Sequence, residues 1–188
     1  MISTIDNHWL NNVRHLLSPN CDKRTDENDI SLIVIHCISL PPRQYGTAYI
    51  DQLFTNCLNA DEHQYFKEIH KFKVSSHLLI SRKGTITQYV PFNLRAWHAG
   101  QSSYYARACC NDFSIGIELE GIETDLYTDH QYTQLVDVIS ILLNNYTKLS
   151  ANDITGHSDI APGRKQDPGP TFDWHRLRCM LAKKTEII

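Results

Sequence analysis

The longest apolar stretch of the chain runs from Ile30 to Leu40 and includes the consecutive residues Leu32–Ile35. A continuous run rich in β-branched residues is typical of a strand that is buried on both faces of a sheet. Pro41 and Pro42 end it, because proline has no backbone N–H to donate to a neighbouring strand. The pattern predicts a core strand over 30–38 and places His36 close to its C-terminal end.

A second strand is predicted over 113–120, where apolar and polar residues alternate. Phe113, Ile115, Ile117 and Leu119 share one face, so Glu118 must project from the opposite face. A hairpin is also predicted, formed by 77–80 and 85–90 around Lys83-Gly84, since glycine readily adopts the positive φ of tight turns.

The clearest helix signal follows Thr128. Thr128 and Gln131 form a capping-box pattern, and apolar residues then recur at helical spacing from Tyr132 to Leu143. A short C-terminal helix is predicted from Asp173 to about Ala182, and 49–70 is expected to be partly helical. The proline and glycine turns within 154–173 predict that this segment has no regular structure.

These elements predict an α/β fold, with a central mixed β-sheet flanked by helices. The 188 residues suit one domain over 1–188. The formal net charge is −3 without a basic cluster, which argues against a nucleic-acid partner. The N-terminus lacks the pattern of a secretory signal, and the longest apolar run is too short to span a bilayer. A soluble, intracellular monomer without a membrane partner is expected.

The six cysteines are scattered and form no Cys-x-x-Cys motif, so a disulfide framework is not expected. The adjacent residues Cys109 and Cys110 suggest redox or metal chemistry, but two ordinary free thiols are the favoured interpretation.

Two of the ten histidines occupy positions from which a side chain can enter a cleft. His36 ends a core strand, and His157 opens the turn-rich segment that also contains Asp167. Two imidazoles and one carboxylate form a known catalytic zinc set that leaves a fourth position open. Their spacing matches no short metal-binding motif, so the spacing alone favours the interpretation of His36 as a core histidine and of Asp167 as a turn residue.

Glu118 and Lys165 supply the other groups that amide hydrolysis requires. A carboxylate near a metal-bound water is suited to act as a general base, and an ammonium group near the metal is suited to stabilise an oxyanion. Taken singly, Glu118 is equally an exposed strand carboxylate and Lys165 a solvated loop charge.

Five strings carry a resemblance to a known family: IVIHCISLPP, VPFNLRAWHAG, CNDFSIGIELEG, YTDHQY and TGHSDIAPGRKQDPGPTFDW. The chain resembles the AmpD-type 1,6-anhydro-N-acetylmuramoyl-L-alanine amidases from about Ile30 to Trp174. They belong to a wider group that includes phage amidases and peptidoglycan recognition proteins. The resemblance implies that His36, His157 and Asp167 bind Zn²⁺, that Glu118 activates water and that Lys165 stabilises the oxyanion.

The resemblance also implies a substrate and a place of action. The substrates would be 1,6-anhydromuropeptides imported into the bacterial cytoplasm during peptidoglycan recycling, cut between the lactyl group and L-alanine. Trp97 and His98 are candidates for the wall of a sugar pocket, and Lys73 and Arg107 for partners of peptide carboxylates. Trp97 is equally interpretable as a core residue. For Lys73 and Arg107, a solvated surface charge is the favoured interpretation unless the residue lines the cleft.

Three residues depart from the family pattern. Cys37 stands where asparagine is usual, and Cys109 and Lys73 each stand where arginine is usual. Recognition of the peptide end is therefore open, because lysine lacks the guanidinium fork and cysteine carries no charge to pair with a carboxylate. Two alternative functions are a sensor that holds muropeptides without cutting them and a secreted autolysin. The first conflicts with the complete set of five site residues, and the second with the missing signal sequence.

Overall fold

The main feature of the structure, a computed structural model that describes residues 4–185, is a six-stranded mixed β-sheet. The strands of the chain are β1 (Ile5–Asp6), β2 (Trp9–Leu10), β3 (Arg14–His15), β4 (Cys21–Lys23), β5 (Leu32–Ile38), β6 (Leu78–Ile80), β7 (Ile86–Gln88), β8 (Leu94–Ala96), β9 (Ser103–Tyr104), β10 (Arg107–Ala108), β11 (Ser114–Glu120) and β12 (Ile154–Gly156). The helices are α1 (Tyr49–Phe54), α2 (Phe66–Ile69), α3 (Asp129–Asn145), α4 (His157–Ile160) and α5 (Trp174–Thr185), and a 3₁₀ turn covers Cys110–Asp112.

The strand order in the central sheet is β12-β5-β11-β6-β7-β3. The first four strands are mutually parallel, β7 pairs antiparallel with β6, and β3 pairs parallel with β7. The predicted α/β class with a mixed sheet is therefore confirmed. The C-terminal ends of β12, β5 and β11 lie side by side, which is the edge where open α/β sheets place their functional side chains.

Helices cover both faces of the sheet. On one face, Ile33 and Ile35 of β5 pack with the isoleucines of β11, with α3 and with Leu177 of α5. On the opposite face, Leu79 of β6 packs with α1 and α2. Among residues 4–185, no helix has the length and apolar character needed to cross a membrane.

The predicted core strand and hairpin are confirmed, with tighter bounds. The core strand begins at Leu32 rather than Ile30, and β6 and β7 form the hairpin around Gly84, whose φ is +80°. The predicted alternation of residues 113–120 is also confirmed, but every residue of β11 is buried. The face that carries Glu118 is therefore covered by other parts of the chain and is not exposed to solvent.

Both predicted helix caps are present. Thr128 and Gln131 make a reciprocal capping box at the start of α3, and the Asp173 side chain accepts a hydrogen bond of 2.8 Å from the backbone N–H of Arg176. The C-terminal helix extends to Thr185, three residues beyond the predicted end. The prediction for 49–70 is met by two short helices, α1 and α2.

The prediction that 154–173 lacks regular structure is wrong at its beginning. Residues Ile154–Gly156 form β12 and residues His157–Ile160 form the single helical turn α4. The physical reason is that the proline and glycine turns begin only at Pro162, while Ile154 is buried against the core and the strand pairs with β5. The irregular segment therefore starts after Ile160, so His157 is held by regular structure.

Candidate active site and metal centre

Strand pairing places His36 and Glu118 side by side. These two residues are direct partners in the parallel pair formed by β5 and β11, so their side chains leave the same face of the sheet. His36 is the third residue from the end of β5 and is buried, with 1% of its surface exposed. The sheet thus fixes an imidazole next to a carboxylate at its C-terminal edge.

The second histidine and the aspartate come from the segment after β12. His157 follows Gly156 directly and begins α4. The backbone N–H of Ser158 donates a 2.9 Å hydrogen bond to the carbonyl oxygen of Asp167, which ties the far end of the loop to the start of α4. Gly156 permits this approach, because a Cβ at that position would lie 2.8 Å from Cδ of Pro168.

The three predicted ligand side chains converge. Nδ1 of His36 lies 2.9 Å from Nδ1 of His157, and both nitrogens lie 3.0 Å from Oδ2 of Asp167. Four ligands arranged tetrahedrally at about 2.0–2.1 Å from zinc would be roughly 3.3 Å apart. The observed triangle is within a few tenths of an ångström of that spacing.

The chemistry of the donor atoms also fits a divalent cation. Nε2 of His157 lies 3.1 Å from the carbonyl oxygen of Ala99. A carbonyl oxygen only accepts, so Nε2 carries the hydrogen, which leaves Nδ1 as the ring nitrogen available to a metal ion. Burial lowers the pKa of His36 to about 4, so this ring is neutral near pH 7. Neutral imidazoles and an ionised carboxylate are the forms that bind zinc.

Glu118 lies beside these ligands as a buried carboxylate. It is 8% exposed, and its Oε2 atom has no hydrogen-bond partner among the described residues. Burial raises its pKa well above the ordinary value, the negative charge of Asp167 raises it further, and the positive charge of Lys165 partly opposes both. A carboxyl group whose pKa is raised toward neutrality is suited to accept and return a proton.

These groups line one cavity of about 550 Å³. Lys165 lies on its wall, in the irregular loop after α4, and its side chain remains exposed. Apolar residues make much of the remaining lining, among them Leu53, Phe54, Tyr65, Ile69, Phe72 and Ile122. The site therefore combines a few convergent polar groups with an apolar surround, as binding sites for small molecules generally do.

The four residues predicted to contact substrate have different placements. Trp97 and His98 line the cavity, whereas Lys73 is exposed between two lining residues, Phe72 and Val74. Arg107 is outside the lining. Its guanidinium donates to Asp29 at 2.6 Å and lies 3.8 Å from the ring centre of Phe113. The ion pair with Asp29 and the contact with Phe113 hold the Arg107 side chain outside the cavity, which explains why it does not line the site as expected.

Several residues around the site had no signal in the sequence. Neither Ser114 nor Asn111 was predicted to lie near the site, although both belong to the string CNDFS. In the structure, both side chains contact the segment that contains His98. Cys37 lines the cavity, and burial raises the pKa of its thiol, so the group is neutral. Cys109 is exposed.

Comparison with known proteins shows the family of this chain. The family model described as N-acetylmuramoyl-L-alanine amidase matches residues 26–170. The 1,6-anhydro-N-acetylmuramyl-L-alanine amidase AmpD of Citrobacter freundii is 52% identical over 95% of this chain and 95% of its own length.

Solved structures show the same relationship. A crystal structure of a selenomethionine AmpD derivative has a TM-score of 0.93 and 52% identity, and the match covers 95% of this chain and 99% of that chain. A complex of the amidase AmiD from E. coli with the substrate anhydro-N-acetylmuramic acid-L-Ala-D-γ-Glu-L-Lys has a TM-score of 0.59 and 29% identity, covering 81% of this chain and 57% of that chain. Because the family model matches most of this chain, the chain belongs to the N-acetylmuramoyl-L-alanine amidases, a family of hydrolases.

Proposed function

We propose that this protein is a zinc-dependent amidase that hydrolyses the bond between the lactyl group of 1,6-anhydro-N-acetylmuramic acid and L-alanine of the stem peptide. The observation that carries the proposal is the convergence of His36, His157 and Asp167 within about 3 Å of one another, next to the buried carboxylate of Glu118. The choice of an anhydromuropeptide is supported by the relatives named for that activity, AmpD of Citrobacter freundii among them.

In this proposal, the two imidazoles and the aspartate hold Zn²⁺, which supplies Lewis-acid polarisation of the carbonyl and lowers the pKa of water. Glu118 removes a proton from the attacking water and later delivers it to the departing amine of alanine. The raised pKa of Glu118 favours this return of the proton. The ammonium group of Lys165 stabilises the negative charge that develops on the carbonyl oxygen.

Trp97 and the apolar lining are proposed to hold the sugar and the lactyl group, since aromatic walls bury large apolar area. Both ring nitrogens of His98 contact protein atoms, Nδ1 at His36 and Nε2 at Ser114. This leaves the face of the His98 ring for substrate. Lys73, at the rim, is the proposed partner for a peptide carboxylate. We further propose that the enzyme acts in the bacterial cytoplasm, in peptidoglycan recycling.

The test is mass spectrometry of an anhydromuramyl tripeptide incubated with the purified, zinc-loaded protein. We expect free tripeptide and anhydro-N-acetylmuramic acid, loss of both products in excess chelator, and recovery after zinc is restored. Glu118→Gln is the matched inactive control, because it keeps the size of the side chain. Unchanged substrate with tightly bound zinc would instead indicate a sensor.

Intact peptidoglycan without anhydro ends is the second substrate to compare. An enzyme for cell-wall recycling should release little peptide from it, whereas an autolysin should prefer it. Equal rates on both substrates would contradict the proposed preference for anhydromuropeptides without affecting the proposed chemistry.

A further inference from the structure

Two consecutive residues, His98 and Ala99, contact both histidines of the candidate metal centre. Nδ1 of His98 lies 2.9 Å from Nε2 of His36, and the carbonyl oxygen of Ala99 lies 3.1 Å from Nε2 of His157. In both cases the contact is made by the ring nitrogen that does not take part in the His36–His157–Asp167 triangle. One short segment therefore reaches the outer side of both rings.

The hydrogen positions between His98 and His36 follow from a chain of contacts that begins at a carbonyl. The Ser114 hydroxyl lies 2.6 Å from the carbonyl oxygen of Cys110, and it must donate there because the carbonyl only accepts. Its oxygen is then the acceptor for Nε2–H of His98, 3.2 Å away. Nδ1 of the neutral His98 ring has no hydrogen and accepts from Nε2–H of His36. This leaves Nδ1 of His36 with its lone pair directed at the metal position.

The same segment is anchored by the side chain of Asn111. Its Oδ1 atom accepts from the backbone N–H of His98 at 3.2 Å and from that of Ala99 at 2.7 Å. Gly116 of β11 provides the space for the His98 ring, since a Cβ at that position would lie 2.5 Å from Cγ of His98. The position of the segment therefore depends on the Asn111 amide and on the absence of a side chain at Gly116.

We propose that His98 and Ala99 form the outer hydrogen-bond shell of the metal centre, which orients both histidine ligands and selects the tautomer that presents Nδ1 to the metal, with Asn111 as the anchor. His98 and Asn111 are thus positioning residues for the metal, which they reach only through its ligands. The inference rests on the metal site of the proposed function and extends it to residues that do not touch the metal.

The test is the zinc affinity of folded variants, measured by competition with a chromophoric chelator at fixed pH. His98→Leu removes the acceptor for His36, whereas His98→Asn keeps an oxygen near the place of Nδ1. Loss of an outer-shell partner typically weakens metal affinity 10- to 100-fold. We expect a loss of that size for His98→Leu and less than about threefold for His98→Asn. His175→Leu, at an exposed histidine of α5, is the control and should match the wild type.

A second pair of variants tests the anchor and serves if His98→Leu does not fold. Asn111→Ala removes the acceptor for both amides, whereas Asn111→Asp keeps it. We expect zinc affinity to fall at least about fivefold in the first and to stay near the wild type in the second, scaled from the same outer-shell range. ¹⁵N NMR of the metal-free proteins should show hydrogen on Nε2 of His36 in the wild type and in His98→Asn, and a mixture of tautomers in His98→Leu.

The outcomes separate the two proposals. Wild-type protein that binds no zinc would overturn the proposed metal site itself. Wild-type protein that binds zinc, with equal affinities across either folded variant pair, would overturn the outer-shell role alone. Equal loss in both members of a pair would also overturn it, because packing and not the retained acceptor would then set the affinity.

Discussion

Replacing Glu118 by glutamine is expected to reduce activity. It is also expected to increase the free energy of unfolding, relative to that of the wild type, as the pH rises. The substitution keeps the shape of the side chain and removes its charge. Glu118 is buried at the C-terminal edge of β11, and burial raises the pKa of its carboxyl group. The charge that serves the proposed reaction is therefore one that burial in the folded protein disfavours.

Both magnitudes follow from this placement. Loss of a general base typically costs about 10²- to 10⁴-fold in rate, or about 3–5 kcal/mol in the activation free energy. For stability, the carboxyl ionises in the unfolded chain near pH 4.3 and in the folded protein at a higher pH. Between these two pKa values, ionisation lowers the free energy of unfolding of the wild type by about 1.4 kcal/mol per pH unit, and the variant lacks this loss.

The assay for stability is urea unfolding of both proteins in the metal-free state, at pH values from 4 to 8. The free energy of unfolding of the variant, minus that of the wild type, should rise with pH from pH 4 upward and level off above the folded pKa. The assay for activity is product release by the zinc-loaded proteins, with zinc content measured in the same samples.

Two results would refute this reasoning. A stability difference that does not change from pH 4 to 8 would mean that the Glu118 carboxyl is not desolvated in the folded protein. Turnover above about one tenth of the wild type in Glu118→Gln with full zinc content would exclude Glu118 as the general base.

Four further predictions concern the ligands, the loop, the substrate rim and a helix cap. Asp167→Ala should purify without stoichiometric zinc, because only two ligands remain; elemental analysis tests this, and a full complement of metal would contradict the assignment. Gly156→Ala should weaken zinc binding about tenfold or more, since the added Cβ would lie 2.8 Å from Cδ of Pro168 and displace the loop that carries Asp167. An unchanged dissociation constant for zinc would contradict this role of Gly156. Lys73→Ala should raise KM roughly two- to fivefold for substrates with a free peptide carboxylate, as expected for loss of an exposed ion pair. Arg107→Ala should leave KM unchanged, because Arg107 pairs with Asp29 outside the cavity. Equal effects of the two substitutions on KM would refute the distinction. Thr128→Ala should lower the free energy of unfolding by about 1–2 kcal/mol and Thr128→Ser by much less, because the hydroxyl caps α3 and also donates to the carbonyl oxygen of Arg82. Chemical denaturation that gives the same free energy of unfolding for both variants would contradict the capping role.

The sequence by itself determined the elements whose signals are local. The apolar run of β5, the alternation of β11 and the capping box of α3 each depend on neighbours within a few residues, and all three are present in the structure. Residue type and family strings likewise marked five candidate site residues from the sequence alone, namely His36, Glu118, His157, Lys165 and Asp167. Local patterns failed where the outcome depended on distant partners: β12 forms because it pairs with β5, in spite of the turns that follow it.

Only the tertiary structure decided how these side chains meet. His36 and Asp167 are 131 positions apart, yet their ligand atoms are 3.0 Å apart, because the parallel strands end at one edge of the sheet and the loop after α4 returns to it. The same packing buried Glu118 and thereby raised its pKa, placed Arg107 against Asp29 outside the cavity, and brought His98 behind His36. Burial, register and the direction of a hydrogen bond depend on contacts between segments distant in the chain, and no pattern of neighbouring residues encodes them.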